Sequence, residues 1–390
     1  MLRRLLSFVA SLQLTLICLA AAIALIFAGT IAQVHLGIHE AQQRYFQSLL
    51  VWWPPEGGVR IPIFPGGHLI GGVLLVNLIA AHAKRFQWAW RKFGIHLTHA
   101  GLIIMLAGGL FTDLFAVESH MHLTQGDTKN YSEDPRLVEL AVIDTTDPAA
   151  DQVTAIPERL LRRESTISHS SLPFQIVVRH YFQNSRLHML TGAGRGPAPL
   201  ATRGPGARVA VEALPRATGV DERDVASAVV EIVATDSGLA AQSQSLGRWL
   251  VSDALGARQT FSCAGRTWEL ALRPARYYKP FSVTLQKFSH DVYPGTEIPK
   301  NFSSRIMLSD PGRAVQREVL IYMNHPLRYR GETFYQSGFE KGDQASILQV
   351  VRNPSFIAPY VACVIVALGL LVQFGYHLVG FSRRRRPALA

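Results

Sequence analysis

Four long apolar runs, three near the start of the chain and one near its end, limit what this sequence can fold into. A helix that crosses a bilayer needs about 20 mostly apolar residues in a row. Residues 12–32, 66–83, 95–115 and 356–380 each meet that requirement. Charged residues make up only 17% of the 390, against about 25% in an ordinary soluble domain. Arg3 and Arg4 precede the first run as they would in a secretory signal. However, that run exceeds the usual h-region of about 7–15 residues and lacks a small-residue cleavage site, so it reads as an uncleaved anchor.

The basic residues between the runs set a direction. Lys and Arg collect on cytoplasmic flanks because they resist translocation. Arg3 and Arg4, then Lys84, Arg85, Arg91 and Lys92, then the run 383–386 all fall on one side if both termini are cytoplasmic. The loop 33–65 and the segment 118–355 then lie outside, in the periplasm of a cell with an inner membrane. On this reading the net charge of +11 belongs to topology and anionic lipid rather than to nucleic acid.

Segment 118–355 has the patterning of β structure. Residues 174–180, 267–272, 281–288, 303–308, 319–323 and 347–351 alternate or run as strands do, and Asp310-Pro311-Gly312 marks a turn between two of them. Residues 173–178 and 280–285 form a weak internal echo. The Gly-, Pro- and Arg-rich stretch 191–219 is expected to be a flexible insertion splitting the domain into two lobes. The expected layout is a membrane region (1–117), an extracytoplasmic β-rich domain (118–355), a fourth transmembrane helix (356–380) and a basic cytoplasmic tail (381–390).

Classical catalytic signals are missing. Of three cysteines, Cys18 and Cys363 lie inside apolar runs and Cys263 stands alone, which excludes a disulfide framework, a CxxC redox pair or a zinc-ligand cluster. There is no Walker loop, HExxH or GxSxG. Ionisable groups within spans are functional candidates by default. His96 and His99, three residues apart in the third run, share a helix face. His82 and His377 fall at similar depth in their own runs. The plain alternative is that these are interfacial side chains whose polar tips reach headgroups or water.

Several stretches carry a family resemblance. Ser11-Leu12-Gln13-Leu14-Thr15-Leu16 opens the first run, and His96-Leu97-Thr98-His99-Ala100-Gly101-Leu102 leads to Gly108-Gly109 in the third. Asn324-His325-Pro326-Leu327-Arg328-Tyr329-Arg330-Gly331 continues to Phe334-Tyr335-Gln336-Ser337, preceded by Pro299, Phe302, Ser303 and Asp310. In layout and in these places the chain resembles the ResB/CcsB family of system II cytochrome c biogenesis. The resemblance is weak through 138–265. Trp88 and Trp90 do not match the tryptophan-rich haem segment carried by the companion subunit of that system.

The resemblance implies one half of a cytochrome c synthetase. Such a subunit helps carry haem across the inner membrane and position it for attachment to the CxxCH of apocytochrome c. The cofactor implied is haem b, held transiently and shared with a CcsA/ResC-type multi-span haem-binding subunit. Further implied partners are apocytochrome c, a thioredoxin-like thiol reductant and membrane lipid, with no nucleic acid. One third-span histidine is expected to ligate haem iron alongside a histidine of the companion. His99, deeper than His96, is the choice for that metal ligand, with His96 the second candidate. Haem also needs cations near its propionates. Arg328 and Arg330, alternating with Tyr329, should share one strand face suited to carboxylates, although fold maintenance suits them equally.

Outside the spans, His35, His39, His68, His120 and His122 are lesser candidates, His325 suits hydrogen bonding, and Asp113 suits a helix end. Gly101, Gly108 and Gly109 fit close helix packing, within the chain or against a partner or porphyrin. No catalytic residue is expected, because holding reduced haem in register is itself a contribution to thioether formation. Two other readings stand beside this one: a scaffold for apocytochrome or reductant that binds no haem, and a b-type electron-transfer protein pairing His82 with His99.

Overall fold

In the computed structural model, residues 2–53, 59–148, 150–190, 198–217, 223–234, 244–296, 299–339 and 345–385 are described. They form two units, 1–117 with 352–390, and 118–351.

The first unit holds four helices long and apolar enough to span a bilayer, within Leu12–Phe46, Gly67–Arg85, Trp90–Phe115 and Ala358–Ser382. The chain is a membrane protein. Ser11 caps the first helix, its hydroxyl accepting from the Leu14 amide at 3.2 Å, as Ser does at N-caps. That helix, Leu12–Ala41, outruns its expected end at Ala32 because nothing in Gln33–Leu36 breaks it. Gly37 does, with φ 77° and ψ 164°.

Asn77, 1% exposed in the second span, ties the start of the first. It accepts from the Thr15 hydroxyl at 2.6 Å and donates to the carbonyls of Val9 and Ser11 at 2.6 and 3.0 Å. The third and fourth spans approach closely because small residues recur every seven positions: Gly94, Gly101 and Gly108 are all buried. A Cβ at Gly101 would stand 2.6 Å from Val366 Cγ2 and 2.9 Å from the Ala362 carbonyl. Gly109 has open space around it. Two of the three candidate glycines are therefore used inside the chain's own bundle.

Among its described residues the second unit is β structure apart from short helical turns. Its largest sheet runs in the order Val315–Tyr322, Pro299–Asp310, Arg266–Val292, Thr128–Asp144, Val117–Thr124, Ala345–Arg352, Glu332–Phe339, Leu327–Tyr329. Two cores lie along it. One gathers Leu140, Val142, Phe174, Ile176, Val230, Trp249, Trp268 and Leu270. The other gathers Met121, Leu123, Phe281, Val283, Ile306, Leu308, Phe334 and Leu348. The echoed segments each lead a phenylalanine into one core, Phe174 at 1% and Phe281 at 3% exposure.

The lobes are not split where the sequence suggested. Arg266–Val292 supplies Trp268 and Leu270 to one core and Phe281 and Val283 to the other. One continuous strand thus joins them. Of the stretch 191–219, residues 191–197 and 218–219 lie outside the described residues. Within 198–217, Val209–Ala213 pairs with Ser185–Met189, and Ala201 and Val209 pack on Val229 and Leu250. The apolar residues interspersed among its Gly and Pro give this stretch something to bury, so it completes a lobe instead of spacing two.

Candidate functional site

The second and third spans bring three histidines together. His82 ends the second, two residues before Lys84 and Arg85, while His96 and His99 lie in the first turns of the third. The ring of His82 lies 5.2 Å from that of His99 with planes 22° apart, and 5.1 Å from that of His96 at 80°. Phe86 closes over His96 at 4.7 Å. The glycine stripe explains the orientation. His99 follows Gly94 by five residues, about 140° around the helix, so it turns away from the face packed on the fourth span and toward the second.

Hydrogen bonds then separate the two third-span histidines. His99 Nδ1 donates to the Ile95 carbonyl at 2.8 Å. A carbonyl only accepts, so the neutral ring carries its proton on Nδ1 and keeps the Nε2 lone pair for a metal. His96 is reversed: Nε2 donates to the Gln87 carbonyl at 2.9 Å, and Nδ1 is buried without a hydrogen-bond partner. His377 does not join them. Its ring instead meets Gln373, 2.9 Å from Nε2, and Tyr376. Of the four histidines expected at similar depth, three cluster, because the seven-residue register that seats Gly369 on Gly94 and Thr98 leaves His377 beyond the start of the third span.

At the opposite ends of the second and third spans, Asp113 is held by two side chains. Gln47 donates to Oδ1 at 2.6 Å, and the His68 ring meets Oδ2. Asp113 therefore links elements and does more than cap its helix. His39 contacts Gln43 at 3.0 Å.

In the β unit, the arginines 328 and 330 do not share a face. Leu327–Tyr329 ends at a two-residue turn, where Arg330 and Gly331 have φ of 47° and 80°. Consecutive positive φ is the geometry of a tight hairpin turn, and it breaks the alternation that a continuous strand would impose. Arg330 swings onto Asp310, with Nε at 2.7 Å from Oδ2 and an Nη at 3.0 Å from Oδ1. Tyr329 donates its hydroxyl to the same Oδ2 at 2.6 Å. Asp310 is fully buried. The Tyr329 hydroxyl, and then the Arg330 guanidinium, hold its carboxyl below the usual carboxylate range against the opposing pull of burial.

Further along the motif, Gln336 accepts from Ser304 at 2.6 Å and donates to the Gly338 carbonyl at 2.9 Å. Ser304 meets Ser346 at 2.7 Å. Asn324, in left-handed backbone at φ 63°, precedes His325, which stacks on Tyr322 at 4.2 Å. Sequence reading missed these partners, and it also missed Lys279, whose side chain is 3% exposed and paired with Glu332 at 2.8 Å. Alternating burial along the flanking strands could have flagged Asp310 and Ser304 as inward-facing. His120, half-buried on Val117–Thr124, titrates below the ordinary histidine range through burial and then the neighbouring His122.

Residues 260–347, which hold most of the second core and the whole Asn324–Ser337 motif, match the ResB-like family. The chain is 33% identical over 103 residues to protein NrfI of Wolinella succinogenes, covering 26% of this chain and 11% of that protein. It is 33% identical over 81 residues to cytochrome c biogenesis protein CcsB of a Picosynechococcus species, covering 21% and 17%. With CcsB of a Synechococcus species the identity is 35% over 101 residues, covering 26% and 22%. The shared stretch spans under a quarter of each of these relatives.

Proposed function

We propose that this chain, which belongs to the ResB/CcsB family, serves cytochrome c biogenesis as a membrane subunit that holds haem in passage and passes it toward apocytochrome c. On this reading both termini are cytoplasmic, and the β unit lies in the periplasm beyond the inner membrane. A CcsA/ResC-type multi-span subunit completes the haem site, and a thioredoxin-like reductant keeps the apocytochrome thiols free. The relatives named for cytochrome c biogenesis support the pathway.

The observation that carries the haem reading is His99 with its Nδ1 proton committed to Ile95 and its Nε2 lone pair left for iron. Haem is cargo here, and it needs an axial nitrogen and an apolar slot. The third span offers the nitrogen at His99, one turn from the apolar side chains of Ile95 and Leu102. The stacked contact with His82 favours a transient, shared site over a b-type cytochrome. Axial imidazoles point their nitrogens at one iron from opposite sides of the macrocycle, whereas rings stacked at 5.2 Å present faces to each other. This chain then gives one axial ligand, and the second comes from the companion.

The arginine pair no longer acts as a unit toward propionates. Arg330 is committed to Asp310, and Arg328 is exposed on the strand before the turn. Purifying the chain alone and with its companion, and recording absorption of each, tests the shared site. Haem is expected only in the complex. A stable b-type spectrum from the isolated chain contradicts it.

A further inference from the structure

The chain between the first and second spans folds back onto the membrane bundle. A straight helix would put Phe46 about 25 Å beyond Gly29, yet a Cβ at Gly29 would stand 2.6 Å from the Phe46 ring. The break at Gly37 permits this return. Residues 46–49 then bed on the start of the second span: the Gly66 amide donates to Leu49 at 2.9 Å and the His68 amide to Ser48 at 3.2 Å. Side chains at Gly66 or Gly67 would collide with the Ser48 and Phe46 carbonyls.

From this seat rises a hairpin, Leu50–Trp53 paired with Ile61–Pro65. Its root is anchored, since Val51 is 5% exposed and Phe64 packs with it against Leu25 and Ile70. Past the root the character reverses. Trp52, Trp53, Ile61 and Ile63 are 46–61% exposed, and Arg60 is exposed beside them. A two-stranded hairpin is marginal in water by itself, and this one turns its largest apolar side chains outward.

Depth identifies what covers them. The second span, Gly67–Arg85, is 19 residues, about 28 Å at 1.5 Å per residue, close to the hydrocarbon thickness of about 30 Å. Gly67 thus stands at a hydrocarbon boundary, and Asp113 with Gln47 and His68 marks the polar edge there. Exposed apolar surface also runs along the adjoining first helix through Ile31, Val34 and Ile38. The outer edges of both strands need water, so the backbone is excluded from the hydrocarbon, while tryptophan favours the layer just outside it.

We propose that this hairpin is an interfacial anchor. It lies in the headgroup–acyl boundary, with Trp53, Ile61 and Ile63 on one face toward the acyl chains, Trp52 on the other face at the headgroup level, and Arg60 toward lipid phosphate. The test uses the full chain in phosphatidylcholine vesicles, in a Trp88→Phe/Trp90→Phe background. There the other tryptophans, Trp249 and Trp268, are buried in the β unit. Lipids brominated near the headgroup end of the acyl chain should quench a large part of the emission. Adding Trp52→Phe/Trp53→Phe should abolish that quenching while circular dichroism stays unchanged. Emission indifferent to brominated lipid would overturn the proposal: with strong quenching by aqueous iodide the hairpin stands in water, and without it a protein partner covers it.

Discussion

His82 and His99, on neighbouring spans, stack ring on ring with centroids 5.2 Å apart and planes 22° from parallel. The contact holds one face of His99 while Ile95 fixes its tautomer, so its orientation is set from two elements. His82→Ala is expected to leave the complex assembled and haem present at reduced occupancy, where His99→Ala removes it. Haem-to-protein ratios of the two purified complexes distinguish a positioning role from a ligand. Equal, complete loss in both would make His82 a ligand as well.

The glycine stripe predicts an asymmetry between neighbours. Gly101→Val drives a side chain into Val366 and the Ala362 carbonyl, and overpacking of this kind costs about 1–3 kcal/mol. Gly109→Ala meets open space and should leave the melting temperature in detergent unchanged. Equal effects of the two substitutions would mean that the third and fourth spans do not pack by this stripe.

Asn77→Leu strips three hydrogen bonds from the start of the first span. Bonds between membrane helices average about 0.6 kcal/mol and reach about 1.7, so a loss of about 1–2 kcal/mol is expected. Protease access near Ser11 should rise in step with it.

Lys279, buried in the β unit, pairs with the half-buried Glu332. Removing Glu332 alone leaves a buried ammonium uncompensated, at a cost of up to about 3–5 kcal/mol, whereas removing both costs far less. Glu332→Ala should therefore be worse than the Lys279→Met/Glu332→Ala double variant in thermal melts. Additive losses would show that the two do not interact.

Asp310 predicts a pH dependence. Its folded carboxyl titrates below the ordinary value because of Tyr329 and Arg330. A depressed carboxylate contributes stability above its unfolded pKa, about 3.9, and loses it as pH falls through the folded value. Arg330→Ala should lower the melting temperature at neutral pH, and the gap from wild type should shrink on acidification. A gap constant down to strongly acidic pH would remove Asp310 from the account.

How much of this was legible in the sequence follows from which interactions are periodic. The four spans and the strands flanking Asp310-Pro311-Gly312 were readable because hydropathy and alternation repeat over many residues. The end of the first helix was not, because one glycine, Gly37, decides it. The Arg328/Arg330 alternation failed because Arg330 and Gly331 form a turn. Asp310 and Ser304 were missed as parts of a network because their side-chain partners are 19 to 42 residues away, and only the folded register brings them together. The pairing of His99 with His96 was visible from a three-residue spacing. The tautomer that separates them depends on Gln87 and Ile95, which spacing alone does not reveal.

The central claim is that His99 ligates haem jointly with the companion subunit. It is tested by co-purifying the chain with its multi-span partner as wild type and as His99→Ala, reading haem by absorption and cytochrome c assembly by covalent haem staining. The expected result is an intact variant complex that loses haem and maturation, with both restored by added imidazole. Unchanged haem content and maturation in His99→Ala would contradict it and leave the chain as a scaffold.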